Sequence, residues 1–207
     1  RHEERRANAR RSFLNLAAIL LAPLLLVWPK PAAAEDVGRA PAHDAAALAD
    51  VPEPSDYRTN EYRQPVPKTL KGAKVVSSDE AEKLFSAKSA VFIDVYPRAP
   101  RPPNLPAGTV WRDPPHSTIG GAHWLPNVGY GVLSPDFESY FKTRLEVLTD
   151  KDPSRPIVFF CLKDCWMSWN AAKRAIEWGY KNVIWFPEGT DGWQALGNDL
   201  AQATPVP

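Results

Sequence analysis

Three short runs in this chain are continuously or, with Asp94 the one exception, nearly continuously apolar: Val91-Phe92-Ile93-Asp94-Val95, Ile157-Val158-Phe159-Phe160 and Val183-Ile184-Trp185-Phe186. Side chains alternate faces along a strand, so a run without a polar position has no solvent face and belongs to a sheet covered on both sides. Such sheets are mostly parallel, and parallel neighbours need crossover connections. Helical signals stand between the runs. Ser77-Ser78-Asp79-Glu80 makes a capping box, with Ala81, Leu84 and Phe85 on one face. Ser134-Pro135 opens a helix reaching about Leu148, and Asn170 to Trp178 forms another, stopped by Gly179. A last short helix spans Asp191 to Leu196. The alternation predicts an α/β fold, a mostly parallel central sheet flanked by helices on both sides.

With 207 residues and 44% hydrophobic content, the chain supports one ordinary core once its ends are set aside. Its 22 prolines fall largely outside the apolar runs. Val51 to Pro67, with Tyr57 and Tyr62, reads as an extended strap, and Pro97 to Pro115 as irregular chain. The predicted organisation is a leader over residues 1–34, a disordered linker and proline-rich strap over 35–74, a folded domain over 75–200 and a tail over 201–207.

The leader rests on Arg5, Arg6, Arg10 and Arg11 before an apolar run from Phe13 to Trp28, closed by Ala32-Ala33-Ala34. The order is that of a secretory signal peptide, and Pro23 breaks a run already short for a bilayer. Arg10-Arg11-Ser12-Phe13-Leu14 also resembles a twin-arginine signal, so both export routes stay open. Either leads to the periplasm, with no membrane association after cleavage. The first residue is Arg1, and a translational start upstream is expected. Twenty-five basic residues against 24 acidic ones leave no field that would favour nucleic acid.

The chemistry concentrates in Cys161-Leu162-Lys163-Asp164-Cys165-Trp166, which holds both cysteines of the chain. A strand ends at Cys161, and a helix is expected near Ser168 to Asn170. Amides of such a turn, with the positive end of the helix, stabilise an anion, so the expectation is a thiol of lowered pKa at Cys161 and an activated nucleophile. Cys165 would resolve its intermediates. The same pair in an oxidising compartment is also compatible with an inert disulfide. No second Cys or His pair completes a metal site, so no metal is expected.

The segment Ile157–Cys161, followed by Gly179-Tyr180-Lys181-Asn182-Val183 and Glu188-Gly189-Thr190-Asp191-Gly192-Trp193, resembles the second half of a rhodanese domain. Phe92-Ile93-Asp94-Val95 and Ile119-Gly120-Gly121-Ala122 resemble its first half. More narrowly, Cys161 to Arg174, Asp94 to Arg98 and Trp124 to Gly131 are similar to the rhodanese-like CXXCW-motif proteins associated with PQQ-dependent catabolism. That resemblance implies a rhodanese-like domain over about Val75 to Leu200 and a periplasmic accessory role in alcohol oxidation. The implied partners are a quinoprotein alcohol dehydrogenase or its cytochrome c, with association with PQQ or a PQQ enzyme rather than a firmly bound cofactor.

Measured against a sulfurtransferase, alignment on Ser168 lengthens the loop and puts Trp166 and Met167 where a cation often stands. The predicted site is therefore Cys161 and Cys165 as catalytic residues. Leu162, Lys163, Asp164, Trp166, Met167, Ser168 and Trp169 form the loop and binding surface, with Asp94, Arg98 and His116 as auxiliaries. Two functions are carried forward. One is thiol redox or sulfur transfer at the cysteines. The other is a non-catalytic binding module or chaperone using a tryptophan-rich rim, with Trp166, Trp169, Trp185 and Trp193 as stacking surfaces. His116 and His123 show no carboxylate partner by spacing, which points to structural roles.

Overall fold

In the computed structural model, which describes residues 50–207, the elements follow as β1 (Lys74–Val75), α1 (Ser78–Ser86), β2 (Val91–Asp94), β3 (His116–Ile119), β4 (His123–Trp124), α2 (Pro135–Leu148), β5 (Ile157–Phe160), α3 (Trp166–Glu177), β6 (Val183–Phe186), α4 (Gly189–Ala195) and β7 (Leu200–Ala203). The predicted leader and residues 35–49 of the linker lie outside the described residues. Five strands form one sheet in the order β1-β6-β5-β2-β4, parallel at every pairing. The three apolar runs are its centre, and every residue of β2, β5 and β6 is buried.

The alternation of side chains divides the core into two layers. Ile93, Ile157, Phe159, Val183 and Trp185 face α2 and α3, packing with Phe141, Leu145, Trp169 and Ala172. Phe92, Val158, Phe160, Ile184 and Phe186 face the other way, toward Val76, Ala81, Phe85 and Trp193 of the α1 and α4 side. Each such side chain contributes about 1.5–3 kcal/mol of burial, so a polar residue on either face would weaken the sheet. The chain thus adopts the α/β fold expected of it, with helices on both faces of a parallel sheet.

Local signals set several boundaries. Ser77 caps α1, its hydroxyl accepting the Glu80 amide while the Glu80 carboxylate accepts the Ser77 N–H. Ser134 caps α2, with Pro135 in the first turn. Gly179 has φ of 92°, the left-handed stop that its position after α3 suggests. One boundary differs: the third helix begins at Trp166 rather than at Ser168 to Asn170, so Trp166 and Met167 belong to its first turn rather than to the loop before it.

The predicted tail is a structural element. β7 pairs antiparallel with β3, Ala203 opposite His116 and Leu200 opposite Ile119, and the Val206 N–H donates to the Trp124 carbonyl at 2.9 Å. Tyr140 clasps the same segment through its hydroxyl, which donates to Val206 O at 2.6 Å. Residues 200–206 carry no apolar period, and their order comes from the unpaired backbone of β3 and β4, whose polar groups need partners when covered.

Candidate active site: a buried dithiol under a strap

Parallel strands deliver their carboxyl ends to one edge of the sheet, and Cys161 follows directly on β5 at that edge. The chain then turns through Leu162, Lys163 and Asp164, the last at φ of 53°, to Cys165, the residue preceding α3. The loop is pinned from α4: Thr190 N–H donates to Cys161 O at 2.9 Å, and Leu162 bridges Gly189. Gly189 is required there, because a Cβ would lie 2.1 Å from the Cys161 carbonyl oxygen.

Both sulfurs are free thiols and nearly without solvent contact, Cys161 at 1% and Cys165 at 2% exposure. Burial pushes the Cys161 thiol well up, reinforced by its hydrogen bond to Cys165 and by the charges of Cys165 and Asp94, with only the Leu162 amide opposing. The Cys165 thiol is lowered to about 7, chiefly because the Cys161 S–H donates to its sulfur; the Met167 amide and Arg63 add to that. The acidic thiol is therefore Cys165, and the sequence-based expectation of a lowered pKa at Cys161 is corrected. The physical difference is that burial dominates at Cys161, whereas Cys165, the residue preceding α3, gains from Cys161, the Met167 amide and Arg63 more than burial costs it.

The Leu162 amide faces Cys161 and the Met167 amide Cys165, but two other amides of the loop are engaged elsewhere. Lys163 N–H donates to the Asp191 carboxylate at 2.7 Å, and Trp166 N–H donates to Tyr62 O at 2.9 Å. Tyr62 belongs to the strap, which runs across the start of α3. Along it, Asn170 exchanges hydrogen bonds with the Arg58 main chain, at 3.0 Å as acceptor and 2.8 Å as donor. The Trp166 and Trp169 indoles donate to Pro65 O at 3.1 Å and Thr69 O at 3.2 Å.

Those contacts decide the tryptophans. Trp166, Trp169, Trp185 and Trp193 are at most 5% exposed, and the indole N–H of Trp185 donates to Ser168 Oγ while that of Trp193 donates to Asp199 O. They fasten strap, loop and sheet together, so the tryptophan-rich rim proposed from sequence has no free face. Met167 is likewise buried, its carbonyl in contact with Gly129, and Leu162 packs on the core from the loop. Lys163 and Asp164 line a cleft of 160 Å³ with Asp50, Val51, Pro65, Val66 and Lys68.

Of the auxiliaries, Asp94 and His116 meet directly. His116 Nε2 lies 2.6 Å from Asp94 Oδ2, both residues are buried, and Tyr96 stacks on the imidazole at 4.7 Å between centroids. His116 thus has the carboxylate partner that spacing failed to reveal. Arg98 is elsewhere: it pairs with Asp113 and lines a cleft of 470 Å³ with Arg101, Trp111, Asn127 and Tyr130, none of residues 161–165 among its walls.

The cation missing from the loop comes instead from Arg63. Its Nη1 donates to Lys163 O at 2.8 Å, and its charge helps lower the Cys165 thiol. Sequence reading missed it because the pair is separated by 100 positions and the strap has no period to orient its side chains. Asn170 and Arg174 were also missed. The Arg174 guanidinium donates to the carbonyls of Val128, Tyr130 and Gly131, tying the Trp124–Gly131 segment to α3.

No family model matches the chain, and no curated protein does. Among solved structures it is similar to a thiosulfate sulfurtransferase from Pseudomonas aeruginosa, at 18% identity and a TM-score of 0.42, over 64% of this chain and 21% of that one. It is also similar to the polysulfide-sulfur transferase homodimer from Wolinella succinogenes, at 20% identity and a TM-score of 0.38, over 63% of this chain and 79% of that one. A complex of EanB with hercynine matches at 17% identity and a TM-score of 0.42, over 72% of this chain and 35% of that one. The chain spans about a fifth of the length of the Pseudomonas protein. Each of these matches is partial, and the α/β architecture rests on the chain's own sheet order and the helices packed on both of its faces.

Proposed function

We propose that the Cys161–Cys165 pair is a dithiol–disulfide centre of a rhodanese-like domain. The observation that supports this reading best is that two free, buried cysteines stand in one short loop between β5 and α3, each affecting the other's ionisation, with Cys165 lowered and Cys161 raised. Near neutral pH Cys165 is partly thiolate, the nucleophilic form. Its sulfur attacks one sulfur of a partner disulfide; that S–S bond breaks, and the other partner sulfur leaves as a thiolate. With the Cys165 charge gone, one cause holding up the Cys161 pKa is removed. Cys161 then loses its proton to solvent and attacks Cys165, expelling the second partner thiolate. Two electrons pass from the pair to the partner.

Thiol redox is favoured over sulfur transfer because two of the loop amides that would cradle a sulfane anion are already bonded to Asp191 and Tyr62. It is favoured over a purely binding role because the tryptophans have no free face. The setting is proposed from the sequence resemblance alone: an exported accessory of PQQ-dependent alcohol oxidation, with a quinoprotein alcohol dehydrogenase or its cytochrome c as partner.

Intact mass after an acid quench and alkylation under denaturing conditions tests the centre. Reduced protein should take two alkyl groups, protein treated with a small disulfide none, and Cys161→Ala should stop at a mixed disulfide on Cys165. Two alkylatable thiols persisting in excess disulfide at pH 8 would end the reading.

A further inference from the structure

The strap does more than cover the loop. Cys165 is 2% exposed, yet Arg63, which donates to the loop carbonyl of Lys163 at 2.8 Å two residues before it, is itself exposed. The main-chain anchors on either side, Tyr62 O on the Trp166 amide and Pro65 O on the Trp166 indole, hold the backbone of the strap in place. Arg63 is a solvent-facing side chain between those anchors, free to rotate while they hold. Side chains of that kind move on the ps–ns scale.

The charges around this entrance are largely spoken for. Asp50 pairs with Lys68 at 2.5 Å, and Asp191 accepts the Lys163 amide. Lys163 and Asp164 stand opposed on one cleft. Among the described residues Arg63 has no carboxylate within 4.0 Å; its hydrogen-bond partner is the Lys163 carbonyl, and its charge acts on the nearby Cys165 thiol.

We propose that Arg63 is the entry and specificity residue of the dithiol, selecting small anionic disulfides for attack by Cys165. The inference rests on the dithiol reading above. A disulfide carrying carboxylates is drawn to the guanidinium, and in displacing it from the sulfur it exchanges one anionic partner of Arg63 for another. A disulfide carrying ammonium groups meets like charge at the same place. Attack breaks the S–S bond of the incoming molecule, forms a mixed disulfide on Cys165 and releases one small thiolate; closure by Cys161 releases the second.

The test compares two probes of similar size, 3,3′-dithiodipropionate and cystamine, reacting with the reduced protein at low ionic strength. Mixed-disulfide formation on Cys165 is followed by mass in the Cys161→Ala background. The quantity read is the ratio of the two rates in each protein, which cancels the intrinsic reactivities of the probes. Removing one unit charge within hydrogen-bond reach of the reacting atom should change that ratio about tenfold. Arg63→Gln should therefore lower the anionic preference by about that factor, and Arg63→Lys should keep most of it. Lys163→Gln should change the ratio less than Arg63→Gln does, and half-molar salt should compress the differences. A ratio unchanged within twofold between wild type and Arg63→Gln, both with native melting temperatures, overturns the proposal, as does failure of both probes to react. Should mixed disulfides form with the stated ratios while the two-cysteine protein never closes its own disulfide, the dithiol reading fails and the role of Arg63 stands.

Discussion

Asn170 is the point at which the strap and the domain are joined most tightly, and its replacement by alanine tests that join. The side chain is fully buried and makes three hydrogen bonds: it accepts from Arg58 N–H at 3.0 Å and donates to Arg58 O at 2.8 Å and Gly129 O at 2.9 Å. Truncation strands all three main-chain groups. An unsatisfied buried group costs about 1–3 kcal/mol. The Gly129 bond is buried and the two Arg58 bonds are partly buried. The loss is then about 2 kcal/mol for the first and about 1 kcal/mol for each of the others, about 4 kcal/mol in all. For a domain of this size that corresponds to a fall in melting temperature of roughly 8–16 °C. Urea unfolding followed by tryptophan fluorescence measures it, and Asn170→Asp supplies the control for direction. The aspartate keeps the acceptor for Arg58 N–H but turns a carboxylate oxygen toward two carbonyls. At neutral pH it should cost at least as much as alanine, and the cost should shrink on acidification, because the protonated acid can donate to one of them. A loss below about 1 kcal/mol for Asn170→Ala would refute the view that the strap is held by main-chain recognition from α3.

Cys161→Ala removes the main cause of the acidity of Cys165, so the midpoint of the pH profile for alkylation of Cys165 should rise above about 7; an unchanged midpoint would contradict the S–H to sulfur hydrogen bond. The sign of the linkage follows: a thiol lowered from 9.0 to about 7 contributes stability that is present above the ordinary value and lost as pH falls through about 7, so wild type should gain stability between those limits relative to Cys165→Ser, as urea titrations at each pH would record. Gly129→Ala places a Cβ 2.3 Å from Met167 O and 2.7 Å from its carbonyl carbon, backbone atoms that cannot rotate away, and should cost about 3 kcal/mol or more in thermal unfolding. Ser77→Ala removes the hydroxyl that caps α1 and should cost about 1 kcal/mol by the same measurement, far from the thiols and without effect on their reactivity.

The particular elements divide cleanly by the range of the interactions that make them. The central strands β2, β5 and β6 were legible because burial on both faces writes itself into consecutive apolar positions. The capped starts of α1 and α2 were legible because capping is a contact between residues three apart. The placement of both cysteines in one loop after a buried strand was legible too. β7 was not, because nothing in Leu200 to Ala203 has a period; that strand exists only because β3 offers an edge. His116 found Asp94 through the approach of β3 to the end of β2, 22 positions away in sequence.

The amino-acid sequence by itself determined which segments could lie inside a sheet, where helices could begin, and which loop held the sulfur. Tertiary structure alone decided which sulfur is acidic, since that depends on which thiol donates to the other, which amides remain free, and how deeply each is desolvated. It also decided that the strap's Arg63 bonds the loop at the Lys163 carbonyl and that the tryptophans are fasteners. The physical reason is one of range: propensity, capping and amphipathic burial act within a few residues, whereas electrostatics and solvent exclusion depend on whatever the folded chain brings near.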